Sequence, residues 1–141
     1  MLLVDANVLL NVLNEDADDH AVADRWLFEA LSGHEPIGLA WHALLAVIRV
    51  STHPSLFRAP LTVGQAVGEV EAWLAAPPAL LVDPTSRHPS MLEQCLEQTG
   101  VGGNLVNDAH LAALAREYDA TVISFDRDFG RFEGVRWRLP G

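Results

Sequence analysis

Met1-Leu2-Leu3-Val4-Asp5-Ala6-Asn7 opens the chain, and the apolar run Val8-Leu9-Leu10 follows at once. Four consecutive apolar residues are typical of a buried strand in a parallel sheet. Asp5 directly follows that strand, at the sheet edge where open α/β folds bind their ligands. Asp is also a favoured helix N-cap, so capping of the next helix is the alternative interpretation of this residue.

Two later segments place acids in a similar way. Leu105-Val106-Asn107-Asp108-Ala109-His110-Leu111 opens a helical pattern, and Thr121-Val122-Ile123-Ser124-Phe125-Asp126-Arg127-Asp128-Phe129 is a second strand that ends in acids. Because the carboxyl ends of parallel strands meet at one edge of a sheet, we expect Asp5, Asp108 and Asp126 to lie in a common region.

Taken together, these segments resemble the PIN-domain ribonucleases, and most closely the VapC-type toxins of VapBC toxin–antitoxin systems. The resemblance runs over about residues 1–140. It rests on the order and spacing of Asp5-Ala6-Asn7 with Leu9-Leu10, Asn104-Leu105-Val106-Asn107-Asp108-Ala109-His110-Leu111-Ala112, and Ser124-Phe125-Asp126-Arg127-Asp128-Phe129. A further segment, Gly38-Leu39-Ala40-Trp41-His42-Ala43-Leu44-Leu45 with Ile48-Arg49, is similar to a mycobacterial-type subgroup of these toxins. The resemblance implies one PIN-like domain over residues 1–141.

Strand and helix patterns alternate along the chain, which predicts an α/β fold. The expected architecture is a PIN-like three-layer α/β/α arrangement with a mostly parallel central sheet. Predicted strands cover residues 1–4, 36–40, 79–82 (as a buried strand), 121–124 and 135–139. Predicted helices cover residues 7–13, 19–31, 41–50, 62–76, 85–98 and 104–118, with a short turn of helix at 128–132. Gly100, Gly102 and Gly103 are expected to form a flexible connection, and Thr62 with Gln65 resembles a capping box.

Composition limits the classes of function. The 141 residues fit one domain, and the formal net charge of −10 argues against a general electrostatic binder of nucleic acids. All nine basic residues are Arg, and four of them lie at the C-terminus, namely Arg127, Arg131, Arg136 and Arg138. The single cysteine, Cys95, excludes a disulfide framework within the chain. The sequence shows neither a signal peptide nor a membrane span, so we expect a cytoplasmic protein.

The gathered acids predict a metal site. Carboxylates at one sheet edge repel one another, so some would be protonated unless a cation lies between them. Oxygen ligands of this kind suit Mg²⁺ or Mn²⁺, which can meet a substrate phosphate and support metal-assisted phosphodiester hydrolysis. The resemblance implies that this hydrolysis leaves a 5′-phosphate and a 3′-hydroxyl.

The expected catalytic and metal-binding residues are Asp5, Asp108 and Asp126. Asp5 is expected to be a direct ligand, Asp108 a second ligand or a holder of water, and Asp126 the residue that completes the site. The expected supporting and substrate-binding residues are Asn7, Ser124, Arg127 and Asp128. Asn7 and Ser124 are neutral groups suited to orient Asp5, a water molecule or the scissile phosphate. For Asp128, helix capping is favoured over metal binding.

One position departs from the resemblance. PIN nucleases usually carry a Glu where this chain has Ala46, although members of the similar subgroup also lack it. A site with three acids would hold metal more weakly or engage one ion rather than two. His42 lies one helical turn before Ala46 and could reach the site, although a packed or surface histidine is the favoured interpretation. His110 is interpreted as structural, and His88 as a minor candidate for substrate contact.

The resemblance also implies partners. It predicts a metal-dependent endoribonuclease toxin that cleaves a structured RNA, either a tRNA or an rRNA loop, forms a homodimer and is inhibited by a cognate VapB-type antitoxin. A non-enzymatic PIN-like module that binds RNA or protein is the alternative, and the acid missing at Ala46 motivates it. A phosphoaspartate mechanism is disfavoured because Asn7 replaces the second Asp it needs and the chain has no Lys.

Overall fold

Five strands form one sheet in the computed structural model, which describes residues 1–100 and 103–141. The strands are β1 Leu2–Val4, β2 Ile37–Ala40, β3 Ala79–Val82, β4 Thr121–Ile123 and β5 Arg136–Arg138. The α-helices of the described part are α1 Ala6–Leu13, α2 His20–Ser32, α3 Trp41–Ser51, α4 Val63–Ala75, α5 His88–Thr99 and α6 Val106–Glu117. Two 3₁₀ segments accompany them, at Gly103–Leu105 and Arg127–Arg131.

The sheet has the order β3-β2-β1-β4-β5, and every pairing within it is parallel. The expected mostly parallel sheet is therefore entirely parallel across the described strands. β1 is central: Leu2 aligns with Ile37 on one side and with Thr121 on the other. This position explains the unbroken apolar run at the N-terminus, because a central parallel strand is covered on both faces.

Alternation along β1 separates two cores. Leu3 packs into a cluster with α5 and α6, which contribute Cys95 and a run of small residues that includes Ala112. Leu2 and Val4 point to the opposite cluster, which α1 to α4 cover. Side chains on a strand alternate between the two faces of the sheet, so the three residues of β1 contribute to both hydrophobic clusters. The three-layer α/β/α prediction is confirmed.

β3 differs from its prediction as a buried strand. Leu80 is 46% exposed and Leu81 is 44% exposed, whereas Val82 is buried. β3 lies at the edge of the sheet, where only one neighbour, β2, pairs with it. Local hydrophobicity predicts a strand here but does not fix its place in the strand order.

Some helices begin where a local capping residue is present, and others begin where contacts with distant residues allow. The predicted capping box is present: Gln65 N donates to Thr62 Oγ1 at 3.1 Å and Thr62 N donates to Gln65 Oε1 at 2.9 Å. α5 begins at His88 rather than at residue 85, because the backbone N–H and hydroxyl of Thr85 both donate to Glu117. α6 begins at Val106 after a 3₁₀ turn, and Gly102 of the predicted glycine connection lies outside the described residues.

Two further sequence expectations can be compared with the structure. Cys95 is fully buried, and burial raises the pKa of its thiol, in agreement with an inert core cysteine. Among the described residues, no helix is long and apolar enough to cross a membrane.

Candidate metal centre

Three structural elements bring the predicted acids to the carboxyl edge of the sheet. Asp5 follows β1 and Asp126 follows β4, and these two strands are neighbours in parallel register. Asp108 lies in the first turn of α6. The predicted convergence of the three acids therefore has a simple origin: two adjacent parallel strands and one helix start share an edge.

Both carboxylate oxygens of Asp5 accept hydrogen bonds. Its Oδ1 accepts a hydrogen bond from Ala6 N at 2.7 Å, so it caps α1, and its Oδ2 accepts one from the Ser124 hydroxyl at 2.7 Å. Capping and a place in the acidic site, which the sequence left as alternatives, are thus combined in one residue. Burial raises the pKa of Asp5 and the charge of Asp126 raises it further, against the lowering effect of the Ser124 bond.

Ser124 is the centre of a small hydrogen-bond network. It is fully buried, donates to Asp5 and accepts from Asn7 Nδ2 at 3.0 Å and from Asp126 N at 2.9 Å. Asn7 Oδ1 in turn accepts from Phe125 N at 3.2 Å. These bonds connect the start of α1 to the segment after β4. Ser124 therefore orients Asp5 and contacts the backbone of Asp126, and Asn7, which is half-buried, supports Ser124.

Asp108, Asp126 and Asp128 form a cluster in which one carboxylate oxygen of each lies within 4.8 Å of the others. The pKa of Asp108 is raised to about 6, first by burial and then by the charges of Asp126, Asp5 and Asp128. Like charges this close cannot all ionise freely without a counter-ion. The cluster, together with Asp5 beside it, is a group of acids that could hold a cation.

The roles within the pair Asp126 and Asp128 differ from the prediction. Asp126 Oδ1 accepts from Asp128 N at 2.8 Å, so Asp126 caps the 3₁₀ segment Arg127–Arg131. Asp128, predicted as the cap, instead joins the carboxylate cluster and forms an ion pair with Arg131 at 3.4 Å. The chain turns one residue earlier than expected, which transfers the capping role to the first acid.

The donors present fit a small divalent cation. All are carboxylate oxygens, the ligands that Mg²⁺ and Mn²⁺ prefer. A cation with ligands about 2.1 Å away holds oxygens no more than about 4.2 Å apart, and one carboxylate oxygen of each clustered acid lies within 4.8 Å of the others.

The C-terminal arginines do not form one patch. Arg131 pairs with Asp128, and Arg136 pairs with Asp119 at 2.9 Å. Arg138 lines a depression with Glu29 and Glu35. Arg127, the predicted substrate-binding residue, is exposed next to the acids at the start of the 3₁₀ segment.

His42 is an exposed residue, as the favoured interpretation expected, and it lies near the acids. Its Nε2 is 3.2 Å from Asn107 Oδ1, and its charge lowers the pKa of Asp5. With Ala46 and Arg49 it lines a cavity of about 450 Å³ on α3. The signal in the sequence was its position one helical turn before Ala46.

A partly buried hydrogen-bond network of His88, His110 and Glu117 lies next to His42. His88 Nδ1 donates to Glu117 Oε2 at 2.5 Å, and His88 Nε2 is 2.8 Å from His110 Nδ1. The His110 ring also contacts that of His42, with centroids 5.2 Å apart. Burial and the two neighbouring histidines lower the pKa of His110 to about 4. His110 is structural, as predicted, whereas His88 is used inside the protein and is not free for substrate.

Comparison with known proteins identifies the family of the chain. The PIN domain family matches residues 2–135. Ribonuclease VapC37 of Mycobacterium tuberculosis is 53% identical over 140 residues, which cover 99% of this chain and 97% of that protein. Ribonuclease VapC33 of the same species is 34% identical over 140 residues, with 99% and 98% covered. The chain therefore belongs to the PIN-domain family and, within it, to the VapC ribonucleases.

Solved structures show the same fold at lower identity. VapBC2 from Rickettsia felis, bound to a DNA fragment from its promoter, matches with a TM-score of 0.70 and 17% identity, covering 98% of this chain and 97% of that chain. VapC20 of Mycobacterium tuberculosis, described as a sarcin–ricin loop cleaving toxin, matches with a TM-score of 0.65 and 20% identity. In that comparison 96% of this chain and 99% of the VapC20 chain are covered.

Proposed function

We propose that the protein is a metal-dependent endoribonuclease, the toxin of a type II toxin–antitoxin pair, which hydrolyses phosphodiester bonds in a structured RNA. The single observation that carries this proposal is the carboxylate cluster at the carboxyl edge of the sheet, where the pKa of Asp108 is raised to about 6. Family membership supports the ribonuclease activity. Mg²⁺ or Mn²⁺ is the proposed cofactor.

Asp5, Asp108 and Asp126 would hold the cation, which would activate water and stabilise the charge that develops on the phosphate. Ser124 and Asn7 fix the orientation of Asp5 through the bonds described above. Asp126 is held by its own cap on the 3₁₀ segment. Asp128 adds negative charge to the cluster, and Arg127, which is exposed, would meet a phosphate of the RNA strand.

A tRNA or rRNA loop is the proposed substrate class. Sequence in RNA is read mainly in single-stranded loops, whose bases are accessible. The description of VapC20 as a sarcin–ricin loop cleaving toxin supports an rRNA loop as one possibility. The cytoplasm, where such RNAs are found, is the proposed place of action.

A VapB-type antitoxin is the proposed partner. A cavity of about 230 Å³ between α1, α2 and α4 is lined mainly by apolar residues, among them Val12, Leu27, Phe28 and Trp73. Phe28 is 74% exposed at its margin, which is unusual for a large apolar side chain. The net charge of −10 suits a basic partner segment. The solved VapBC structures support such a partner, and a homodimer is proposed by the same resemblance.

The alternative is a PIN-like module that binds RNA or protein without cutting it. The observation that favours it is Ala46, which leaves the α3 side of the site without a fourth acid. Retention of Asp5, Asp108 and Asp126 argues for the nuclease, because clustered carboxylates are unfavourable without a cation to bind.

Cleavage of total cellular RNA by the purified protein, free of antitoxin, tests the proposal. Mg²⁺ or Mn²⁺ is compared with chelator, and wild type with Asp5→Asn. Asn is as good an N-cap as Asp, so α1 is retained while a ligand charge is lost. Asp18→Asn, at an exposed acid outside the site, is the matched control.

Discrete fragments that need the metal, appear with Asp18→Asn and vanish with Asp5→Asn would support the nuclease. Mapping their ends would identify the substrate and show whether the product carries a 5′-phosphate. Absence of cleavage by the folded wild-type protein in excess metal would overturn the nuclease and favour the binding module.

A further inference from the structure

The cavity on α3 has a polar stripe that the proposed metal centre does not use. His42, Ala46 and Arg49 line it together with Leu45 and Ile48. Residues four and seven positions apart lie on one face of a helix, so the imidazole and the guanidinium project from the same side, two turns apart. The cavity therefore offers two hydrogen-bond donors where the family pattern would place an acid.

This cavity adjoins the acidic cluster. His42 Nε2 lies 3.2 Å from the side chain of Asn107, the residue before Asp108, and the His42 charge lowers the pKa of Asp5. The ring of His110 packs against His42 on another side. His42 is exposed, yet these contacts orient it at the margin of the metal centre.

Arg49 is one of the exposed arginines whose guanidinium no other group of the described chain holds, and among them it shares its cavity with His42. Within residues 1–100 and 103–141 its exposed guanidinium makes neither an ion pair nor a hydrogen bond. Four other arginines are held by protein groups: Arg87 by the Glu117 carbonyl, Arg116 by Gln94, Arg131 by Asp128 and Arg136 by Asp119. An arginine that no protein group holds, on the same cavity as His42, is a natural phosphate ligand.

We propose that His42 and Arg49 form a phosphate-binding subsite on α3, which holds the RNA backbone next to the scissile bond. The proposal rests on the proposed function, because it takes RNA as the substrate. It also explains how an acidic protein could bind RNA. A chain with a net charge of −10 needs local cationic donors where the RNA strand enters and leaves the acidic centre.

Binding of a short fluorescein-labelled single-stranded RNA of mixed sequence, followed by anisotropy, tests the subsite. Ca²⁺ replaces Mg²⁺, and a gel checks that the RNA stays intact. Arg49→Ala is compared with Arg138→Ala, which removes the same charge from the depression with Glu29 and Glu35. His42→Ala is compared with His42→Gln, which keeps an N–H donor.

Loss of a charge-assisted contact to phosphate weakens binding by about tenfold to a hundredfold. Arg49→Ala should show this loss and should also flatten the slope of log affinity against log salt by about 0.7, the contribution of one phosphate contact in a single strand. Arg138→Ala should leave both affinity and slope unchanged. His42→Ala should weaken binding, and His42→Gln should restore most of it.

An Arg49→Ala protein with the affinity and salt slope of Arg138→Ala would overturn the subsite. The subsite would also be overturned if Arg49→Ala weakened only the capture of a partner protein, since the cavity would then be the binding site of that partner. Failure of the nuclease proposal is recognised separately: wild type would bind the RNA through Arg49 but leave it uncut in Mg²⁺ and Mn²⁺. Absence of RNA binding by wild type would overturn both proposals.

Discussion

Replacement of Ser124 by Ala is the sharpest test of how the acidic site is held. The Ser124 side chain is fully buried and its hydroxyl makes three hydrogen bonds, to Asp5, Asn7 and the backbone of Asp126. Ser51 is also fully buried, but its hydroxyl has no hydrogen-bond partner in the part of the chain that the structure describes. The same substitution at Ser51 is therefore a matched control for volume and burial.

The expected magnitudes follow from these bonds. A hydrogen bond to a charged group contributes about 1.5–3 kcal/mol and a neutral one about 1 kcal/mol. The three bonds share one oxygen and water can replace part of them, so we expect Ser124→Ala to lower the free energy of unfolding by about 2–4 kcal/mol. Ser51→Ala removes an unpartnered hydroxyl, so its free energy of unfolding should be unchanged or raised by up to about 1 kcal/mol.

Urea unfolding followed by circular dichroism measures both changes, provided that the slope with denaturant stays constant. Manganese affinity supplies a second measurement. The Ser124 bond lowers the pKa of Asp5, so its loss raises that pKa, and protons then compete better with the cation. Equal stability of the two variants, or a Ser124→Ala protein that binds Mn²⁺ like wild type, would refute this account of the site.

Three further predictions concern other parts of the molecule. The pKa of Asp108 is raised to about 6, so the metal-free protein should lose stability as pH rises through 6, and Asp108→Asn should remove that loss in thermal melts with chelator. The hydrogen bonds of Glu117 to Thr85 and His88 lower its pKa, so its contribution to the free energy of unfolding is present above its unfolded-state pKa and is lost as pH falls. Glu117→Gln should therefore lower the free energy of unfolding in urea by about 1–3 kcal/mol at neutral pH and by much less in acid. Phe28→Asp should weaken capture of the antitoxin at least tenfold while RNA cleavage by the free toxin stays as in wild type, and equal capture would rule out the groove between α1, α2 and α4.

The parts of the fold that local chemistry determines could be predicted from the sequence. The run Leu2–Val4 before Asp5 predicted a buried parallel strand with an acid at its carboxyl end, and Thr62 with Gln65 predicted the start of α4. The exposure of β3 could not be predicted, because it depends on strand order, and strand order is decided by how distant segments pair.

The position of the acids at one edge of the sheet was predictable, whereas the contacts that support them were not. The role of the acids as metal ligands stays a prediction. Asp5, Asp108 and Asp126 each follow a recognisable strand end or helix start. Glu117 and His88, by contrast, are 29 residues apart and meet only when α5 packs on α6. The exchange of roles between Asp126 and Asp128 depended on a one-residue difference in where the chain turns, which spacing alone does not resolve.

The acidic edge also couples the proposed metal to the fold. Burial raises the pKa of Asp5 and Asp108, and the neighbouring charges raise both further, so the metal-free folded state is destabilised by its own site near neutral pH. A cation that binds the folded chain alone removes this repulsion and adds stability in proportion to the logarithm of its concentration. Saturating Mn²⁺ should therefore raise the melting temperature of wild type but not of Asp108→Asn. That difference reports metal binding at the site without any RNA, so a protein that fails to cleave its test substrate can still reveal whether the acids hold a cation.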